Sequence, residues 1–230
     1  MIKENLIQVQ ENINAACKRA GRNPNEVTLI AVSKTKPLSM IEEAYAAGMR
    51  EFGENKPQEM RDKAKLFEFP VHWHMIGTLQ SNKIKYVVGT ATMIHSVDSL
   101  ALAAAIEKEA AKKELVMDIL LEVNIAEEDT KHGFNTEEIY SAVKEISAYS
   151  HLRLRGLMTV APYTENAEEN RIYFKKMKEL LVDINVKNID NIIMDCLSMG
   201  MSSDYEVAIE EGATMVRIGT GIFGERDYSH

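Results

Sequence analysis

The sequence predicts an α/β protein, a single (β/α)8 TIM-type barrel preceded by an extra N-terminal helix. Three observations carry that expectation. Short apolar runs alternate with helical patterns from Val27 onward, which predicts βαβ units and a parallel sheet. The runs number eight, more than the roughly five or six strands of an open doubly wound sheet, the competing arrangement. They are apolar throughout rather than alternating, as suits strands covered on both faces. A chain of 230 residues is long enough for one such unit. It is read as a helix and connector over 1–24 and a barrel over 25–230.

Each element follows from its own pattern. Ile2, Leu6, Val9, Ile13 and Ala16 recur at helical spacing, and Gly21 and Pro24 close that segment. The first strand covers 27–32 and ends in Ser33-Lys34. In the helix after it, Ser39 and Glu42 stand three apart as in a capping box, with Gly48 as the stop. The remaining strands are expected at 50–54, 72–77, 93–97, 117–124, 153–158, 192–197 and 215–218. Between them, Pro57 opens a helix, 79–88 and 98–113 are helical with Asp98 as N-cap of the second, and 136–149 and 167–184 follow. A last helix opens at Ser203, with Glu206 three residues on, and ends at Gly212.

Composition narrows the function classes. A net charge of −8 argues against a general nucleic-acid surface, while leaving room for a local cationic pocket. No stretch approaches the roughly 20 apolar residues of a membrane span, and 1–21 lacks the apolar core of a signal peptide. The two cysteines, Cys17 and Cys196, are far apart, which suits a reducing, cytoplasmic compartment and gives no zinc spacing. Cys17 lies on the first helix and Cys196 in an apolar strand, so both are read as core, as are the methionines.

In such a barrel the active face is where strands end. The polar residues there are Lys34, Glu54-Asn55, Gly77-Thr78, His95-Ser96, Glu122-Asn124, Met158-Thr159, the Ser198 to Ser203 loop, and Arg217 with Gly219-Thr220-Gly221. Barrels often bind a phosphate with the loops after strands seven and eight. Hydroxyls and glycines in 198–203 and 219–221 fit that use, though each loop alone also reads as ordinary turn chemistry. Lys34 places a long amine at the barrel mouth, and a desolvated lysine suits Schiff-base chemistry; Lys36 is read as a solvated control. Arg217 can donate to a pyridine nitrogen and leave it unprotonated, or can pair with Glu54 or Glu122 inside the barrel. His72 and His74 share a strand face, yet the other histidines offer no matching ligand set apart from His95. A hydrogen-bonded pair is preferred to a metal site.

Four segments then carry a resemblance: 29–37, ending Ser33-Lys34-Thr35-Lys36-Pro37; Phe52-Gly53-Glu54-Asn55; 73–83, from Trp73-His74 to Asn82-Lys83; and Ser198-Met199-Gly200-Met201-Ser202-Ser203-Asp204 with 216–224. Spread in order along the chain, they resemble the YggS/PROSC family of pyridoxal phosphate homeostasis proteins, which are alanine racemase N-terminal-domain-like. The resemblance implies pyridoxal 5′-phosphate (PLP) as cofactor, held as a Schiff base on Lys34. It implies phosphate contacts near Ser202, Gly219 and Thr220, with Ser198 also counted among the cofactor-binding residues, the ring nitrogen near Arg217, and Asn55 lining the pocket. Lys131 matches a loop lysine implicated in cofactor transfer. Where relatives commonly have Tyr-Val after Glu-Asn, this chain has Lys56-Pro57.

Fold-related racemases and decarboxylases carry an additional β domain that completes their dimeric sites, and none is expected here. The resemblance therefore implies a monomeric PLP carrier of intracellular vitamin B6 homeostasis, exchanging PLP with PLP-dependent apoenzymes and having no catalytic residues. Two alternatives stand beside it: a minimal amino-acid racemase, and a Schiff-base enzyme acting on sugar phosphates without PLP.

Overall fold

The computed structural model describes residues 1–225. Eight strands close into a parallel barrel in sequence order: β1 (Thr28–Val32), β2 (Glu51–Glu54), β3 (His72–Met75), β4 (Met93–Val97), β5 (Met117–Glu122), β6 (Leu152–Met158), β7 (Cys196–Ser198) and β8 (Met215–Ile218). Closure is made by β1 and β8, with Ile30 opposite Arg217 and Ala31 opposite Ile218. The expected (β/α)8 barrel is therefore the observed fold.

Helices cover the outside: α1 (Ile2–Arg19), α2 (Leu38–Ala46), α3 (Pro57–Leu66), α4 (Ile84–Val87), α5 (Leu100–Lys112), α6 (Ile139–Ile146), α7 (Arg171–Val186), α8 (Tyr205–Glu210) and α9 (Thr220–Phe223). The apolar stripe read in the first helix buries Ile2, Leu6, Val9, Ile13, Ala16 and Cys17. That face packs on α2, α8 and α9. Asn5 also donates to the Ile222 carbonyl (2.8 Å), and Arg19 pairs with Glu206 and Glu210 at 2.8 and 2.6 Å.

Strand residues alternate between two environments. Ile94, Ile119, Leu121, Leu157 and Leu197 belong to the main core under the helices. Their neighbours Met93, Leu120, Met158 and Cys196 form a separate buried cluster on the opposite, inner face. Burial pushes the Cys196 thiol up to about 12, which keeps it protonated as a packing group. In β6 the register with β5 skips Arg155, whose guanidinium bonds Asp118 and Asp195. Gly156 then passes so close to β7 that an added Cβ would lie 1.7 Å from the Cys196 carbonyl oxygen.

Helix starts depart from the sequence reading. α2 begins at Leu38, with Pro37 as an uncapped N-cap. Ser39 thus sits inside the first turn, and the expected box with Glu42 does not form. For α5 the cap is Ser99, whose hydroxyl accepts from the Leu102 amide, rather than Asp98. α8 begins at Tyr205, because the Asp204 carboxylate turns back to accept from the Met201 amide (2.7 Å) instead of letting Ser203 cap. The seventh strand starts at Cys196 rather than 192. Asn185 holds both main-chain groups of Met194, which folds the preceding residues against α7.

Candidate functional site

The C-terminal ends of the strands gather the residues singled out in the sequence. Val32 pairs with Gly53, so Lys34 and Asn55 leave adjacent strands side by side. On the other flank of β1, a Cβ on Gly219 would lie 3.4 Å from both the Cβ and the carbonyl oxygen of Val32. Gly77 lets β3 approach in the same way, since a Cβ there would meet the Asn55 carbonyl oxygen at 2.4 Å. Lys34 is half-buried, and the Asn55 side-chain oxygen is buried with no hydrogen-bond partner.

The loops after β7 and β8 converge on one oxygen. Ser202 Oγ accepts from the Gly219 amide at 3.3 Å and from the Gly221 amide at 3.4 Å. Two backbone N–H groups aimed at one point make an anion cradle, in which the serine hydroxyl occupies an acceptor's place. Thr220, between those glycines, is exposed beside it.

Arg217 lies next to this cradle and is buried. Its Nη1 donates to Ser198 Oγ (2.5 Å) and its Nη2 to the Thr159 carbonyl (2.8 Å). Those two bonds leave three of a guanidinium's five N–H groups. Burial lowers its pKa to about 10, opposed by the carboxylates of Glu122 and Asp204, so it stays cationic at neutral pH. Neither Glu54 nor Glu122 forms the direct salt bridge that the sequence left open. Ser198, expected among the cradle hydroxyls, is buried and committed to holding Arg217 from within the barrel.

Behind Ser198 a polar chain crosses the barrel. His95 Nδ1 lies 2.8 Å from Ser198 Oγ, His95 Nε2 lies 2.9 Å from His74 Nδ1, and His74 Nε2 lies 2.7 Å from Glu51 Oε2. Glu51 Oε1 also holds exposed His72 at 2.6 Å. Arginine can only donate and a carboxylate only accept. Ser198 therefore accepts from Arg217 and Glu51 from His74, while the hydrogens between Ser198, His95 and His74 are set by the tautomers of the two rings. Burial pushes the His95 pKa well below that of a free imidazole, and its neighbours His74 and Arg217 add to the effect. Burial alone would raise Glu51, but the His74 and His72 hydrogen bonds outweigh it and hold the carboxylate low. His72 and His74, read in the sequence as a packed or hydrogen-bonded pair, are joined through Glu51, one on each of its oxygens.

A second buried group surrounds the turn that carries Lys34. Lys63 of α3 is buried, and its ammonium reaches the Ser33 carbonyl (2.7 Å), Glu54 Oε1 (2.8 Å) and Glu59 Oε1 (2.7 Å). Glu59 Oε1 also accepts from the Thr35 amide (2.6 Å), and Ser33 Oγ donates to Glu54 Oε1 (2.6 Å). Burial raises the Glu54 pKa, while Lys63 and Ser33 pull it back down. Lys36 is not the solvated control expected. Its ammonium lies 3.0–3.4 Å from the carbonyls of Phe223, Gly224 and Glu225, tying this turn to the end of α9. Sequence reasoning missed Lys63 and Glu59, because a Glu–Lys pair four apart on a helix reads as a surface pair. Lys131, on the loop after β5, donates to the Val160 carbonyl (3.2 Å) and pairs with Glu128 (2.8 Å).

Residues 5–227 match the family described as alanine racemase, N-terminal domain. A pyridoxal phosphate homeostasis protein of Aquifex aeolicus is 45% identical over 226 residues, covering 98% of each chain. The chain belongs to the YggS/PROSC family of pyridoxal phosphate homeostasis proteins. Among solved structures, a protein of Bifidobacterium adolescentis is 34% identical with a TM-score of 0.91 over 96% of this chain and 94% of that one. PipY of Synechococcus elongatus, solved with PLP bound, is 35% identical with a TM-score of 0.85, over 97% of this chain and all of that one.

Proposed function

We propose that this chain binds PLP at the barrel mouth and acts in PLP homeostasis, with Lys34 as the covalent tether. The observation that carries the reading is the cradle beside Arg217, with the Lys34 turn on the strand next to β8. Bound PLP supplies an anionic phosphate, a ring nitrogen that accepts a hydrogen bond, and an aldehyde that condenses with a primary amine with loss of water. The chain's residues match those needs. The Gly219 and Gly221 amides with Ser202 and Thr220 hold the phosphate. The free N–H groups of Arg217 face the ring nitrogen, Asn55 lines the pocket, and Lys34 supplies the amine. Ser198 supports Arg217 from within the barrel. A ring nitrogen that accepts from a permanently charged guanidinium stays unprotonated and is a weak electron sink, which favours carriage over carbanion chemistry.

On this reading the protein is a cytoplasmic monomer with no turnover of its own, and it passes PLP to apoenzymes, with Lys131 on a loop toward that exchange. Family membership and the PLP-bound relative support binding. Hand-over and the monomeric state are carried over from the resemblance to this carrier family.

Absorbance tests the tether. Purified protein incubated with PLP is expected to gain a visible band, lost in Lys34→Ala. Borohydride reduction should leave the pyridoxyl mass on the peptide containing Lys34. A wild-type protein that stays colourless with excess PLP would overturn the reading.

A further inference from the structure

The turn Ser33-Lys34-Thr35-Lys36 is closed by a bond from the Lys36 amide to the Ser33 carbonyl (3.0 Å). Its third residue, Thr35, has φ of +64°. A turn with that conformation at its third position selects glycine or asparagine. A threonine there is unfavourable, because its branched Cβ crowds the backbone. Of the five non-glycine residues with positive φ among those described, Thr35 is the β-branched one. It directly follows Lys34, so its conformation fixes the path of the backbone immediately after Lys34 in the turn.

Left-handed threonine persists only where the surroundings over-determine it. Here they do so on both sides of Lys34. The Ser33 carbonyl accepts from Lys63 as well as from Lys36, and the Thr35 amide donates to Glu59. One carboxylate oxygen of Glu59 receives both the Thr35 amide and Lys63, so the two contacts act as a unit. Lys63 spends all three of its N–H groups on this cluster and is buried, where it both offsets the buried Glu54 carboxylate and holds the turn.

We propose that Lys63 and Glu59 are positioning residues for the PLP tether: together they clamp the Ser33–Thr35 turn in its left-handed form and so aim Lys34 into the barrel mouth. The proposal rests on Lys34 being the tether, and it adds two residues of α3 to the site without placing either on the ligand.

The test uses the full-length chain and the variants Lys63→Met, Glu59→Ala, Thr35→Gly and the doubles carrying Thr35→Gly. Two quantities are read: PLP affinity by absorbance titration, and hydrogen exchange at the Thr35 and Lys36 amides without PLP. Glu59→Ala and Lys63→Met are expected to weaken PLP binding about tenfold and to speed Thr35 exchange at least as much, on the scale of the strain held at one non-glycine left-handed residue. Adding Thr35→Gly should return affinity to within about threefold of wild type, because glycine adopts the turn unaided. A purely structural loss would not respond this way. As a control, Thr35→Gly should not raise the affinity of a variant destabilised elsewhere, such as Ile13→Ala.

The clamp is refuted if Glu59→Ala and Lys63→Met, with wild-type circular dichroism, keep wild-type affinity and exchange, or if Thr35→Gly restores nothing. Should Lys63→Met fail to fold, Glu59→Ala decides alone, since Glu59 lies partly at the surface. A wild type without the visible band would defeat the Lys34 reading itself. The exchange rates at Thr35 would still report on the clamp.

Discussion

His95 sits midway along a chain of hydrogen bonds that runs from a guanidinium to a carboxylate. Such a chain is polarised cooperatively, and removing His95 leaves one group unpaired on each side of it. Replacing His95 with glutamine should therefore cost about 1–3 kcal/mol through unpaired buried groups. The pH dependence gives a sharper signature. The folded protein refuses a proton at His95, whereas the unfolded chain accepts one as pH falls through about 6.5. Stability is thus complete above that pH and declines below it, by up to about 1.4 kcal/mol per pH unit from this residue. Urea denaturation at about pH 7.5 and pH 5.5 should show a steeper acid loss in wild type than in His95→Gln. Equal slopes would mean that His95 is not held neutral. None of this chain was legible as a chain in the sequence. The sequence paired His72 with His74 on one strand face, but His95 lies 21 positions beyond His74 and Ser198 103 beyond His95, and only barrel closure sets them in line.

Strands were more legible than the ends of helices. An apolar run bounded by polar residues survives an error of a residue or two, and β4 and β8 fall where the pattern put them. Capping depends on a single dihedral. The α2 cap falls at Pro37, two residues ahead of the expected Ser39, and the α5 cap at Ser99, one residue past the expected Asp98. β7 was misplaced because Asn185 pulls Met194 away from the sheet, a contact with no local signature. The glycine in β6 is likewise silent in sequence, yet it controls how β6 meets β7. Gly156→Ala would drive a methyl into the Cys196 carbonyl. A backbone atom cannot swing aside as a side chain can, so we expect a loss on the order of 3 kcal/mol or more. Thermal melting followed by circular dichroism checks this; a melting temperature unchanged from wild type would mean that the strands can part at no cost.

At the scale of the whole molecule, α1 is part of the closed structure rather than an appendage. Its buried stripe lies on α2, α8 and α9, elements from both ends of the barrel sequence. Ile13 is fully buried there. Ile13→Ala should cost about 2–5 kcal/mol, measured by denaturant unfolding. A cost below about 1 kcal/mol would indicate that the helix docks loosely. The site residues at the strand ends were legible because barrel architecture assigns function to position before any contact is known. What remained hidden was the support beneath them, Lys63, Glu59 and the histidine chain, since buried polar partners are chosen by the fold and not by neighbours in sequence.

The pairing of β1 with β8 also has a consequence in time. A chain emerges from the ribosome from its N-terminus, so the Lys34 turn exists long before Gly219, Gly221 and Arg217 are synthesised. Until β8 arrives, β1 has an open edge on one side and the cradle does not exist. Joining the two ends is a long-range contact of the kind that slows folding. A nascent chain therefore carries the Lys34 turn before it has the Ser202–Gly219–Gly221 cradle, which waits on the synthesis of β8.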